Sequence, residues 1–204
     1  MRAVDDNQSM PTSPRERPGP WIAIAAVLGA TVVALRMEGR IWWCACGGWQ
    51  PWISNVWSEH CSQHLADPYS LSHMLHGVFF AGLFALVFKS RVPVAWQLAM
   101  AVTAAAAWEI LENSAFIINR YRTETMSYNY LGDSVVNSLG DIACCGVGFV
   151  VARRLGWKWS IVLFIAIELA MLALIRDNLT LNVIMLICPV RAIREWQSAG
   201  HVPG

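Results

Sequence analysis

The feature that most constrains this chain is a succession of apolar runs, each about as long as a bilayer is thick. A crossing helix needs about 20 apolar residues, within a range of about 17–25. Such runs occupy 20–37, 73–88, 93–118, 133–152 and 158–175, and a shorter one, 179–190, ends at Pro189. None alternates with the period of a barrel strand, and helices satisfy their own backbone groups in lipid. Of the 204 residues 56% are hydrophobic and 14% charged, against about 25% charged in an ordinary soluble domain. The expected fold is all-α, an integral membrane bundle of 5–6 transmembrane helices. The last run is either a tilted span, a re-entrant segment, or one continued by a helix over 191–197.

Residues 1–19 are polar and proline-rich, with Asp5, Asp6, Arg15, Glu16 and Arg17, and read as a disordered cytoplasmic tail. Residues 20–197 form the membrane domain, and 198–204 a flexible tail. The first run is followed by Arg36-Met37-Glu38-Gly39-Arg40 without a small-residue cleavage site, so it reads as an uncleaved span. The net charge is +1 and no basic tract is present, which leaves no footprint for nucleic acid. With the N-terminus cytoplasmic and six crossings, ten Lys and Arg fall on the inner side and five on the outer. That bias predicts a multi-pass protein with a cytoplasmic N-terminus and a periplasmic loop over about 38–72.

The strongly polar residues within the apolar runs gather at one level. Counting about 1.5 Å per residue, His73 and His76 lie at the outer start of the second span, and Glu112 and Glu109 about 9 and 13 Å below the outer end of the third. Asp133, Asn137 and Asp141 form an i, i+4, i+8 stripe on the fourth, Glu168 lies about 10 Å below the outer end of the fifth, and Asn178 and Asn182 open the last. A carboxylate in lipid costs about 2.5 kcal/mol or more on insertion scales, so the stripe must face other helices or water. The bland reading is hydrogen-bonded helix association.

Several chemistries fit. Glu109 and Glu112 are i, i+3 neighbours that cannot easily both ionise in a low dielectric, which suits proton transfer; pairing with Arg120, Arg122 or Arg176 at the rim is the alternative. His73 and His76, with Glu109 or Asp141, are acceptable ligands for a divalent metal. Asn137, Arg176, Asp177, Asn178 and Asn182 are the candidate substrate-binding residues, with Arg176 able to neutralise a buried carboxylate or grip an anionic group. Gly140, Cys144 and Gly148 form a small-residue stripe suited to close helix packing.

The loop carries Trp42, Trp43, Trp49, Trp52 and Trp57, residues that favour the membrane interface and suit a roof over the polar site. It also holds Cys44, Cys46, His60, Cys61 and His64. A disulfide from Cys61 to Cys44 or Cys46, a soft metal site and free thiols are the open alternatives. Cys144, Cys145 and Cys188 read as small buried hydrophobes. No nucleophile elbow, phosphate loop, dinucleotide fingerprint or zinc-protease motif occurs.

Taken together, Cys44-Ala-Cys46-Gly47, Ser62-Gln63-His64-Leu65, Ser72-His73 with His76-Gly77, Trp108-Glu109 with Leu111-Glu112-Asn113, Gly132-Asp133-Ser134 with Asn137-Ser138 and Asp141, and Ile175 to Asn182 resemble one family. It is an uncharacterised family of small, mainly alphaproteobacterial inner-membrane proteins with a domain of unknown function. Asp133 to Gly140 is faintly similar to VanZ-like proteins. The resemblance covers Cys44 to Gln197 and implies an inner-membrane location but no chemistry. Where that family has Glu-Asn before Ser-Gln-His-Leu, this chain has His60-Cys61.

The leading expectation is a periplasm-facing intramembrane acid–His site acting on a lipid-linked or amphiphilic substrate. The alternatives are a small proton-coupled transporter and a non-catalytic subunit of a membrane complex. The bilayer is the one implied partner; a homo-oligomer or a complex partner stays open.

Overall fold

The computed structural model describes residues 18–199. The expected tails, 1–19 and 198–204, lie almost wholly outside the described residues. The described residues form seven helices: α1 (Gly19–Met37), α2 (Ser70–Phe88), α3 (Val94–Glu112), α4 (Ala115–Glu124), α5 (Val135–Ile175), α6 (Leu179–Ile187) and α7 (Arg191–Ser198). No strand is present among the described residues; Trp52 and Ala66 form an isolated bridge within the loop. Four helices, α1, α2, α3 and α5, are long and apolar enough to cross a membrane. Large apolar side chains stand exposed along them, among them Ile22, Val33, Leu86, Ile165 and Leu174. Helices clad in this way are suited to lipid rather than water.

At 41 residues α5 is about twice as long as one crossing requires. It is two limbs, 135–155 and 157–175, meeting at Gly156, whose φ of 75° and ψ of 170° are not helical. Glycine tolerates that left-handed φ without a Cβ clash. The Ser160 hydroxyl donates to the carbonyls of Gly156 (2.9 Å) and Ala152 (3.2 Å). In a continuous helix residues 152 and 160 would stand about 12 Å apart, so the chain doubles back here. Leu163 and Phe164 accordingly pack on the cluster that holds Phe149 and Ala152.

Two glycines set the closeness of α2 to the first limb of α5. A Cβ on Gly77 would collide with the carbonyl of Cys145, and one on Gly148 with the carbonyl of Met74. Gly140 meets the backbone of Leu65 in the loop. The small-residue stripe is thus a packing face, but it serves one helix and one loop rather than a single partner. On the other side α1 lays Ile24, Val27 and Leu28 against Val102, Ala105 and Ala106 of α3.

One expectation needs correction, and one open alternative is narrowed. The third apolar run, 93–118, is not one helix: α3 stops at Glu112, Asn113 caps it, and Ser114 starts α4 by accepting the Ile117 N–H. Glu109 and Glu112 therefore sit in the last turn of α3 rather than about 13 and 9 Å inside it. The sixth run is continued by a helix, α7, which was one of the alternatives left open for it. α6 has nine residues, about 13 Å of helix, and α7 returns the chain to the level at which α6 began. There Gln197 Nε2 donates to Asp177 (2.9 Å), and Arg176 donates to the carbonyls of Ala199 (2.8 Å) and Trp196 (3.3 Å).

Candidate functional site

The first turns of α2 and α5 and the last turn of α3 end at one level, and the loop 38–69 is pinned over them. The N–H groups at the start of α5 are taken by loop carbonyls: Ser134 by Ser62 (2.9 Å), Val135 by Ile41 (2.8 Å) and Val136 by Trp42 (3.2 Å). These are among the N–H groups a helix start leaves unpaired. Gln63 Nε2 donates to the Gly132 carbonyl at 2.5 Å and Arg40 to that of Leu131 at 2.6 Å.

Beneath this roof lies a cavity of about 130 Å³. Its polar wall carries His73 and His76 from α2, Glu112 from α3, Asp141 from α5 and Asp133 from the loop before it. Its apolar wall is α6, through Leu179, Val183 and Leu186, with Asn182 among them. Glu109 stands behind His73, wholly buried. His73 Nδ1 is 3.2 Å from Glu109 Oε1 and Nε2 is 3.9 Å from Asp141 Oδ2. Neither carboxylate oxygen of Glu109, nor Glu112 Oε2, nor Asp141 Oδ1, nor His73 Nδ1 closes a hydrogen bond. At 3.2 Å the imidazole and Glu109 are near enough to bond, yet their directions miss one another. His76 lies edge-on to His73, ring centroids 5.5 Å apart.

Such unpaired buried atoms are costly. One arrangement that satisfies those of His73, Glu109 and Glu112 is a cation between the three residues, whose ligand atoms all lie within 4.8 Å of one another. Two ligands on one tetrahedral ion with bonds of about 2.0–2.1 Å stand about 3.4 Å apart; the 3.2 Å between His73 and Glu109 is of that size.

The remaining expected residues divide. Asp133 is fastened, accepting from Tyr130 (2.9 Å) and from Asn113 Nδ2 (3.1 Å), while its own N–H donates to Asn113 Oδ1 (2.7 Å). Burial pushes its carboxyl up to about 7 against the pull of those donors. Asn137 is buried with neither side-chain atom paired, but it is not on the cavity wall. Glu168 has left the cluster: its carboxylate accepts the N–H groups of Leu179 (2.9 Å) and Thr180 (3.1 Å) and the Thr180 hydroxyl, seating the N-terminus of α6. Asn178 caps the same helix by accepting from Leu181 (2.8 Å).

Asp177 accepts from Gln197, from the Asn178 N–H (2.9 Å) and from the Tyr69 hydroxyl (3.3 Å), at the joint between α5 and α6. Arg176 lies away from the cluster. Among the described residues it pairs with no carboxylate, and it is not on the cavity wall; it donates to the carbonyls of Trp196 and Ala199 and lies over Trp196, 5.9 Å from the ring centroid. Arg120 likewise serves α6, donating to its terminal carbonyl at Leu186 (2.9 Å).

Three tyrosines escaped the sequence reading. Tyr69, Tyr121 and Tyr130 line the cavity, and their hydroxyls donate to Asp177, Asn182 (3.1 Å) and Asp133 respectively. The available signal was position: all four tyrosines of the chain fall between 69 and 130, at the ends of apolar runs. In the loop, Cys44, Cys46 and Cys61 are all free thiols. Cys44 and Cys46 face His60 and His64, while Cys61 lies beside Ser62.

The chain matches, over residues 35–199, the family described as "Protein of unknown function (DUF2585)". The chain belongs to this family. Relatives include the UPF0314 proteins of Brucella anthropi, 42% identical over 87% of this chain and 89% of the relative, and of Sphingopyxis alaskensis, 44% identical over 88% and 95%. That of Sinorhizobium fredii is 39% identical over 96% of each chain. No solved structure matches. These DUF2585 relatives agree with the alphaproteobacterial family that the sequence motifs resemble, and they carry no activity in their names.

Proposed function

We propose that this DUF2585 member is a membrane protein of five crossings, α1, α2, α3 and the two limbs of α5, whose cavity binds a divalent cation and the polar end of an amphiphilic substrate. One observation carries the reading: His73, Glu109, Glu112 and Asp141, from three helices, converge with unpaired buried atoms on or beside a single cavity. His73, Glu109 and Glu112 hold the ion, one of the borderline class such as Mn(II), Fe(II) or Zn(II). Asp141, on the opposite side of His73, serves as the proton acceptor. The α6 wall of Leu179, Val183 and Leu186 takes the apolar part of the substrate, which favours an amphiphile over a fully polar solute. Trp42, Trp49 and Trp52, exposed on the loop, anchor the roof at the interface.

A purely structural role for the acids fits less well, since it calls for every carboxylate to be matched and no cavity to remain. With five crossings the two termini lie on opposite faces. The Lys and Arg split eight to seven between the sides, so with five crossings charge does not favour either orientation.

The test is a deletion strain complemented by Glu109→Gln and Asp141→Asn variants that insert and purify as the parent does. Loss of the deletion phenotype's rescue by both supports the reading. Full rescue by both overturns it.

A further inference from the structure

The loop 38–69 holds a second cluster that shares no residue with the cavity wall. Cys44, Cys46 and His64 offer ligand atoms that all lie within 4.8 Å of one another. Cys46 Sγ is 3.4 Å from His64 Nε2, and Cys44 Sγ is 3.3 Å from His60 Nδ1.

The surroundings are those of a ligand set. The other nitrogen of His64, Nδ1, is 2.7 Å from the Gln50 carbonyl. A carbonyl only accepts, so Nδ1 carries the proton and Nε2 turns its lone pair toward Cys46. Metal-binding histidines are oriented by just this kind of outer partner. The two sulfurs receive backbone N–H groups, Cys44 from Cys46 and Cys46 from Gly48, each at 3.4 Å. Gly47, at φ 72°, makes the turn that aims them. Such donors favour thiolate, the form that binds metal.

The frame is fixed from several sides. Trp43 Nε1 donates to the Gly48 carbonyl (2.7 Å), and its ring meets His64 edge-on at 5.1 Å. Ile53 and Ala66 tie the loop's two strands of chain together through N–H to carbonyl bonds of 3.1 and 3.0 Å. Cys44 and His64 are buried, whereas Cys46 is exposed, so an ion has a way in.

We propose that Cys44, Cys46 and His64 bind a thiophilic metal ion, Cu(I) or Zn(II), at the surface of the loop. Two thiolates and one imidazole complete a trigonal site for Cu(I). For Zn(II), a water supplies the fourth position. His60 hydrogen-bonds Cys44 from outside the ligand set.

The full chain, purified in detergent under reducing anaerobic conditions, would be titrated with Zn(II), with Cu(I) against a chromogenic Cu(I) chelator, and with Co(II) as a spectroscopic stand-in. One equivalent of Cu(I) and a sulfur-to-cobalt charge-transfer band for Co(II) are expected, while Zn(II) should fill both the loop and the cavity, two equivalents in all. Cys46→Ser, at an exposed position, and His64→Ala should each weaken Cu(I) binding at least about tenfold. Glu109→Gln should leave this binding unchanged, which separates the loop site from the cavity. Retention of the band and of full affinity in Cys46→Ser and His64→Ala would overturn the proposal. So would a Cys44–Cys46 disulfide in the freshly isolated chain.

Discussion

His73 Nδ1 and Glu109 Oε1 stand 3.2 Å apart on two different helices, and neither atom closes a hydrogen bond. On its other side His73 faces Asp141 of α5 at 3.9 Å, and there glycines set the helix crossing. Gly77, one turn beyond His73, lets α2 press against the carbonyl of Cys145, one turn beyond Asp141. The backbone crossing and the polar cluster are thus one construction, and each can be disturbed without the other.

Disturbing the crossing costs stability. Gly77→Ala forces a methyl into the Cys145 carbonyl, and overpacking of this kind destabilises by about 1–3 kcal/mol. Thermal unfolding of the purified protein in detergent should show a clear fall in midpoint. Gly82→Ala on the same helix meets no atom within 4 Å and should be neutral or slightly stabilising. Equal effects of the two would refute the close-crossing account.

Releasing Glu168 should free α6. Its carboxylate takes two N–H groups and a hydroxyl at the start of that helix, and loss of a charged acceptor there costs about 1.5–3 kcal/mol. Glu168→Ala should raise hydrogen exchange and proteolysis selectively over 176–199, leaving α2 and α3 protected. Uniform loosening of the whole chain would contradict the assignment.

Acidity should act through the loop carboxyls. Burial raises Asp177 from 3.8 to about 7, although the Asn178 N–H, Tyr69 and Gln197 pull the other way. The folded state therefore holds this proton more tightly than the unfolded chain. Its contribution to stability is complete below about pH 3.8, falls as the pH rises toward 7 and is flat above. Asp133, raised in the same direction, adds to the slope. Unfolding midpoints should drop between pH 5 and about 7.5, and Asp177→Asn should flatten that dependence. An unchanged slope in the variant would remove Asp177 from the account.

Topology gives a further check. Five crossings put residues 18 and 199 on opposite faces, whereas six would put them on the same one. Reporter fusions at the two ends, active on one side only, should give opposite results. Matching results would restore a crossing at α6.

Much of this was legible in the sequence, and the failures have physical reasons. The break near Gly156 was readable because Arg153, Arg154 and Lys158 interrupt the apolar run there. The break at Asn113-Ser114 was not, because the apolar residues resume at once in α4 and hydropathy does not register a cap. The acid–His convergence was visible because charges in apolar runs are few. The partners of Arg176 and Glu168 were not legible, since both serve local backbone groups, carbonyls in one case and the N–H groups of α6 in the other. That depends on where α6 and α7 turn back, which no periodicity in 176–199 reveals. The tyrosines were passed over because a phenol beside an apolar run has an ordinary interfacial explanation.

The most direct test of the cavity's role is a Mn(II) titration of the detergent-purified chain, followed by the electron paramagnetic resonance of free aqueous Mn(II). Manganese prefers carboxylate over thiolate, so the Cys44–Cys46 loop does not compete. One equivalent should be taken up by the parent and by Cys46→Ser, with affinity falling at least about tenfold in Glu109→Gln and His73→Ala. No uptake by the folded parent, or uptake indifferent to both substitutions, would contradict the account.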